Sequence, residues 1–494
     1  MNAVDVNRIF LNAVSLNRVG SQRGKASEEK ASEENPPMET ANLPLYFENI
    51  SDGEMSIGFT TNDIEYCTDG KTWKTLTAGG TTPSVAKGER IYFKALGLTP
   101  TSSVGIGTFS SNAGCSVGGN IMSLVYGEEY ADKMELKESY QFYKLFDTIT
   151  LLKDASMLTL PATTLGRNCY SSMFRGCTSL TAAPALPATT LGRNCYQSMF
   201  YGCTSLTAAP ALPATTLENY CYDSMFRGCT SLTTAPALPA TTLGTYCYNY
   251  MFYECTSLTA APALPATTLA NNCYGYMFHS CTSLTAAPAL PATTLGNYCY
   301  QHMFRGCTSL TAAPALPATT LANNCYGYMF YGCTSLTTAP ALPATTLGTY
   351  CYQYMFFGCT SLTTAPALPA TTLGTYCYNY MFYGCTSLTA APALPATTLA
   401  NYCYSNMFYG CTSLTAAPAL PATTLVSNCY NLMFYGCRKL QYVKALFTTE
   451  PSSTYTNGWM RDVASAGTFV KSKDATWDVV GASGVPSGWT IEYE

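Results

Sequence analysis

Leu160–Ala185 reads LPATTLGRNCYSSMFRGCTSLTAAPA, and the same 26 residues recur with few changes from Leu186, Leu212, Leu238, Leu264, Leu290, Leu316, Leu342, Leu368, Leu394 and Leu420. A fixed period of this length is the signature of a solenoid, in which each coil buries its apolar face only against its neighbours. A chain of 494 residues would otherwise suggest roughly three separate domains. Eleven copies replace that expectation with one elongated array over residues 160–445.

The first copy predicts the shape of a coil. Leu165, Cys169, Tyr170, Met173, Phe174 and Cys177 fall at three- and four-residue spacing, the apolar stripe of a short helix. Thr164 stands where an N-cap hydroxyl belongs, and Gly176 where a helix takes a left-handed exit. Glu254 and Ser280 replace that glycine in two copies, which predicts an ordinary helical exit there. Residues 179–183 predict a very short strand that Pro184 and Pro187 keep from extending. One strand and one helical turn per coil make an α/β repeat of the leucine-rich-repeat plan. Strands stack at about 4.8 Å and helices need roughly 8–10 Å, so the array is expected to curve.

Of the 24 cysteines, 22 fall in pairs eight residues apart, from Cys169 and Cys177 to Cys429 and Cys437, while Cys67 and Cys115 stand alone. Eight helical residues separate a pair by about 12 Å, beyond the roughly 7 Å that a disulfide spans. Eleven members of one column cannot all pair along it. No CxxC or short-spaced Cys/His set is present, so no metal is expected. The thiols read as small apolar residues in two buried ladders, suited to a reducing compartment.

Composition excludes further classes. Lys and Arg number 25 against 29 Asp and Glu, a net charge of −4, which does not make a nucleic-acid groove. No run of about 18 apolar residues predicts membrane insertion. Two histidines, His279 and His302, lie in variable columns of adjacent copies, and the array's few acidic residues are singletons. Without GxGxxG, P-loop, GxSxG or HExxH signatures, no enzyme and no cofactor are expected.

The copies serve as an internal alignment. Variation concentrates in the columns of Gly166, Arg167, Asn168, Ser171, Ser172, Arg175 and Gly176, all expected on the exposed helix face. Free drift there would favour Lys, Glu, Gln and Ala. The Arg175 column instead reads Arg175, Tyr201, Arg227, Tyr253, His279, Arg305, Tyr331, Phe357, Tyr383, Tyr409, Tyr435. The Ser172 column carries Tyr250, Tyr276, His302, Tyr328, Tyr354 and Tyr380, and the Asn168 column adds Tyr220, Tyr246, Tyr298, Tyr350, Tyr376 and Tyr402. Rigid amphipathic rings among small polar residues are the make-up of a binding face. Between Leu160 and Cys437 there is no lysine and only eight charged residues, so a glycan or a receptor loop suits this face better than a charged partner. The threonine ladder of Thr181 and its equivalents is a second candidate face.

Outside the array, residues 1–19 include VNRIFLNAVSLNRV, whose Val6, Ile9, Phe10, Leu11, Val14 and Leu16 form a candidate docking arm on the charged linker 20–42. The arm lacks the continuous apolar run of an export signal. Residues 43–130 read as a small all-β sandwich domain, with Trp73 expected in its core. In residues 131–159, FYKLFDTITLL is a degraded copy that should cap the array, and residues 446–494, with Trp459, Trp477 and Trp489, should form a β cap at the other end.

The unit LPATTL…CYxxMFxGCTSLTxAPA resembles the BspA-like (Treponema-type) leucine-rich repeats of gut Bacteroidales and their phages, and GNIMSLVYG and TFVKSKDATW…GVPSGWT resemble the flanks of such arrays. The resemblance covers about residues 43–494 and implies a curved solenoid used in adhesion, with no catalytic residues to carry over. Surface members begin with an export signal, and this chain departs from that pattern. The departure favours a phage fibre or a head or tail appendage in a virion assembled in the host cytoplasm; the alternatives are a bacterial surface adhesin and an intracellular scaffold. Expected partners are a host-surface glycan or receptor protein and, through the arm, other virion proteins. By analogy with fibres, a trimer or dimer is implied.

Overall fold

A computed structural model describes residues 43–494, apart from Leu96 and Ser103. It begins with seven strands: β1 (Leu45–Asn49), β2 (Ile57–Phe59), β3 (Ile64–Cys67), β4 (Lys74–Leu76), β5 (Arg90–Lys94), β6 (Phe109–Ser111) and β7 (Cys115–Asn120). One helical turn, α1 (Ser123–Tyr126), then leads to β8 (Glu135–Leu136) and β9 (Leu152–Thr159). A six-stranded sheet of order β4-β3-β5-β1-β7-β9 and the separate β2–β6 pair enclose Phe47, Phe59, Phe93 and Phe109. Trp73 does not join them. It is half-exposed, with the Lys94 ammonium 4.2 Å from its ring centroid; that ammonium, itself largely covered, is also paired with Glu65 and Glu128. β9 belongs to both parts of the fold: it runs parallel to β7, and the Ala155 N–H donates to the Ala182 carbonyl of the first repeat.

The solenoid, its 26-residue period and the small sheet region before it are as the sequence indicates. The helix in each coil is not. Thr164–Leu165 forms the strand β10, paired in parallel and in register with β8 on one side and β11 (Thr190–Leu191) on the other. The equivalents β12 (Thr216–Leu217), β13 (Thr242–Leu243), β14 (Thr268–Leu269), β15 (Thr294–Leu295), β16 (Thr320–Leu321) and β17 (Thr346–Leu347) continue the ladder. Thr164 is therefore a strand residue with its side chain outward, not a helix cap. The strand expected at residues 179–183 contracts to one bridge per coil in the Ala182 column, as in Ala208–Thr234 and Thr234–Ala260.

The stretch 166–177 is a chain of overlapping turns. In the first copy the odd-numbered N–H groups bond three residues back within the coil: Ser171 to Asn168, Met173 to Tyr170, Arg175 to Ser172 and Cys177 to Phe174. The even-numbered N–H groups reach a neighbouring coil, Asn168 to Arg193, Ser172 to Gln197, Phe174 to Met199 and Gly176 to Tyr201. Tyr170 bonds backward to Gln141, whereas Tyr378, Tyr404 and Tyr430 in the last three copies bond forward. Every donor from 168 to 177 thus has a partner, which is the condition for burying backbone in a coil only one strand thick. A helix would satisfy the same donors internally, but it would force neighbouring coils apart by a helix diameter and break the strand ladder. The expected mismatch between strand and helix spacing accordingly does not arise.

The turns require left-handed backbone at their third residues: Asn168 (φ 58°), Tyr170 (58°), Ser172 (55°) and Gly176 (72°). Glu254 and Ser280 keep this conformation at φ 60° and 59°, so the two exits that lack glycine are not helical either. A side chain there costs about 1–2 kcal/mol. Glu254→Gly is therefore expected to stabilise the protein by about 1 kcal/mol, read as a higher midpoint in chemical denaturation. An unchanged or lower midpoint would show that the Glu254 side chain makes up the strain.

Apolar side chains stack into ladders along the array. Phe174, Phe200 and their equivalents stack at ring separations of 5.5–5.7 Å, and Tyr170, Tyr196 and theirs at 5.7–6.0 Å. At the head, Phe142 and Phe146 of the degraded copy lie under Tyr170 and Phe174. At the foot, Trp459 is fully buried near Tyr430 and Phe434 and donates its indole N–H to the Gly484 carbonyl. The chain closes with a parallel sheet of β18 (Tyr442–Ala445), β19 (Thr468–Lys471) and β20 (Thr490–Tyr493).

Candidate binding face

The overlapping turns place positions 168, 172 and 175 on one side of the coil, and repetition turns each position into a row. In the Ser172 column, Tyr250, Tyr276, His302, Tyr328, Tyr354 and Tyr380 form one unbroken stack with centroids 4.3–4.5 Å apart. In the Arg175 column, Tyr331, Phe357, Tyr383, Tyr409 and Tyr435 stack at 4.4–4.6 Å. Upstream in that column one cation sits between rings: the Arg227 guanidinium lies 5.4 Å from the Tyr201 centroid and 4.5 Å from that of Tyr253, which stacks on His279. The Asn168 column adds shorter stacks, Tyr220–Tyr246 and Tyr350–Tyr376–Tyr402. Arg175 differs from the rest, because Asp147 of the preceding coil pairs with it at 3.0 Å.

This geometry decides what the rings offer. Their faces are covered by one another, and the tyrosines of the Ser172 column remain only partly buried. A ligand meets rows of partly covered rings, rather than open platforms for stacking. The sequence indicates which residue types share the face; it does not show that their flat surfaces are already used.

One variable column is not on the exposed side. Ser171, Asp223, Asn249, Asn379 and Ser405 are buried and linked from coil to coil: Gln197 and Asn249 amides donate to the two Asp223 oxygens at 3.0 and 3.3 Å, and Gln353 donates to Asn379 at 3.1 Å. These positions vary because several small polar groups satisfy the same row. Burial pushes the Asp223 carboxyl up to about 6, against the pull of the two amides. Its proton is held more tightly in the folded than in the unfolded state, so its contribution to stability is lost as pH rises from about 4 through 6. Asp223→Asn is therefore expected to gain on the parent over that window, by up to about 3 kcal/mol. Melting both proteins at pH 4, 5.5 and 7.5 checks this, and a constant gap between them would refute it. His302 is also more buried than its column suggests, at 6% exposure, and burial together with Arg305 lowers its pKa to about 3. Burial and Arg305 likewise lower His279, to about 4, so both rings are neutral members of the stacks near pH 7.

The second candidate face is less available. Hydroxyls in the Thr181 column donate to backbone carbonyls of the preceding coil, as in Thr181 to Lys153 at 2.9 Å and Thr337 to Thr311 at 3.3 Å. The docking-arm residues Val6, Ile9, Phe10, Leu11, Val14 and Leu16 lie outside the described residues. Among the described residues no group of three or more His, Cys, Asp or Glu side chains is placed to hold a metal ion, and no helix is long and apolar enough to cross a membrane.

Comparison with protein families matches the BspA-type leucine-rich repeat region in overlapping segments that together span residues 156–456. The chain belongs to the BspA-type leucine-rich repeat family. No curated protein shows significant similarity to it. BspA-type repeats point to a role in adhesion or protein interaction, are typically non-enzymatic and are often found on cell surfaces. In this BspA-type array the tyrosine, histidine and arginine rows vary between near-identical coils, as does the buried Ser171 column.

Proposed function

We propose that the protein is a non-enzymatic adhesin whose rows of rings in the Ser172 and Arg175 columns engage a host-surface glycan or receptor protein. The observation that carries this reading is the six-ring stack from Tyr250 to Tyr380, which holds aromatic side chains rigid at little entropic cost while leaving its five tyrosines, though not His302, partly exposed. Rings serving only the core would be covered, as those of the Tyr170 column are.

Replacing Tyr328, Tyr354 and Tyr380 together by Ser tests the reading. The expected result is a native-like circular dichroism spectrum with attachment to host cells reduced about tenfold or more, in line with hot-spot losses at interfaces. Undiminished attachment by a folded variant would refute it. We place the adhesin on a phage fibre or virion appendage, with residues 1–19 as its docking arm. Fractionation of purified particles tests that placement: recovery from bacterial cell envelopes and not from virions would make it a cell-surface adhesin.

A further inference from the structure

The Arg175 column builds the same cage twice. The Arg227 guanidinium lies 4.5 Å from the Tyr253 ring centroid in the next coil and 5.3 Å from that of its neighbour Tyr250. Three repeats later the Arg305 guanidinium lies 4.4 Å from Tyr331 and 6.0 Å from Tyr328, with Nη1 3.5 Å from His302 Nδ1. Neither arginine forms an ion pair among the described residues, although Glu254 follows Tyr253 in the chain, whereas Arg175 in the same column is paired with Asp147. A guanidinium held against a ring keeps its in-plane N–H groups at the ring edge, fixed for a two-point bond to a carboxylate or sulfate. The cages are three coils apart, about 14 Å at roughly 4.8 Å per coil. Tyr276 and His279 lie in the rows between them, and the coil spacing is close to the length of one sugar unit in an extended chain.

We propose that Arg227 and Arg305 are paired anion sites for an acidic polysaccharide, a chain bearing uronate carboxylates, which lies along the array with its neutral sugars against the rings of Tyr276 and His279 between the cages. The proposal rests on the adhesive reading of this face and narrows its ligand to a charged glycan, where the scarcity of charge in the array by itself favours an uncharged partner. An acidic polypeptide satisfies the two cations equally well, but it lacks the run of hydroxyls that the intervening rings are placed to meet.

Calorimetric titration of the full chain with oligogalacturonate, and with maltooligosaccharide of matched length, tests it. The expected result is salt-sensitive binding of the acidic chain, an about tenfold loss for Arg227→Gln or Arg305→Gln alone, and loss of measurable binding for the pair. Failure to bind oligogalacturonate, unchanged affinity in the double variant, or equal affinity for maltooligosaccharide would each overturn the proposal. Equal binding of polyglutamate would overturn it in favour of an acidic protein partner. Where host-cell attachment still depends on Tyr328, Tyr354 and Tyr380 in any of these cases, the adhesive reading stands without the anion sites. Arg227→Lys separates charge from shape: it keeps the cation and loses the fork, and is expected to recover less than half of the lost affinity.

Discussion

In native buffer none of the 24 cysteines is expected to react rapidly with a thiol reagent, and in strong denaturant all 24 are expected to react. All are free and all are buried. Their surroundings do more than exclude reagent. The Cys177 S–H donates to the Phe146 carbonyl at 3.1 Å, Cys203 to Phe174 at 3.1 Å, and the row continues to Cys437 on Phe408 at 3.0 Å. In the other row Cys195 bonds to Gly166 at 3.0 Å and Cys351 to Ala322 at 2.9 Å. Along most of the array each thiol is a small side chain that also satisfies a carbonyl of the coil before it, whereas Cys67 in the β domain bonds the Asp69 carboxylate. Burial pushes Cys169 and Cys221 up to about 12, so almost no thiolate forms at neutral pH. A stopped-flow absorbance trace with a fast phase worth several thiols would show that coils open readily, and it would refute the continuous packing described above.

The second large effect concerns the aromatic rows. Phe278 is fully buried, 5.6 Å from Phe252 and 5.7 Å from Phe304. Phe278→Ala is expected to cost about 3–5 kcal/mol, because both neighbouring coils are pinned by backbone bonds and cannot close the gap. The adjacent row gives the opposite expectation. Tyr274 is equally buried, yet its hydroxyl has no hydrogen-bond partner, as for nine others in its column. Tyr274→Phe removes an unsatisfied polar group without altering the stack, and is expected to be neutral or to stabilise by about 1 kcal/mol. Denaturant titration of the two variants separates the values. A loss of stability in Tyr274→Phe comparable to that in Phe278→Ala would mean that the hydroxyl is bonded in solution.

Much of the fold is legible in the repeat itself. The period gives the solenoid, and residues such as Leu165, Cys169, Tyr170, Met173, Phe174 and Cys177, named from spacing, are all buried. What spacing does not distinguish is a helix from a chain of turns, because Cys169, Met173 and Cys177 fit a period of four as well as one of 3.6 over so short a run. A signal was present in the outer columns. Asn168, Asn194, Asn272, Asn324 and Asn428, with glycine in nine copies at the Gly176 column, suit left-handed backbone and are poor helix formers. The composition that marks a binding face also argues against the helix beneath it. The candidate rows were legible as columns of residue types. Their mutual stacking was not, since it depends on the rise per coil, and helices would have set that rise nearly twice as large.

The direction of the cross-coil bonds has a consequence for assembly. On the turn side, Asn168, Ser172, Phe174 and Gly176 send their N–H groups toward the C-terminal neighbour, and each coil receives at its carbonyls from the N-terminal one. At these four columns the array has a polarity, carbonyls toward its head and N–H groups toward its foot, whereas the Tyr170 column in most copies and the strand-side Gly166 column donate the opposite way. The head is met by a donor, since the Phe109 N–H from β6 bonds the Leu145 carbonyl at 2.8 Å. The foot is met by acceptors, the Thr454, Tyr455, Asn457, Trp459 and Arg461 carbonyls, which continue the row past the last repeat. Whole coils can be added or removed between the ends, because each presents the same pair of poles. The ends cannot be exchanged, because without its cap the foot would present N–H groups at these columns and the head carbonyls. Elongation of such a protein, in evolution or in assembly, has only one permitted sense.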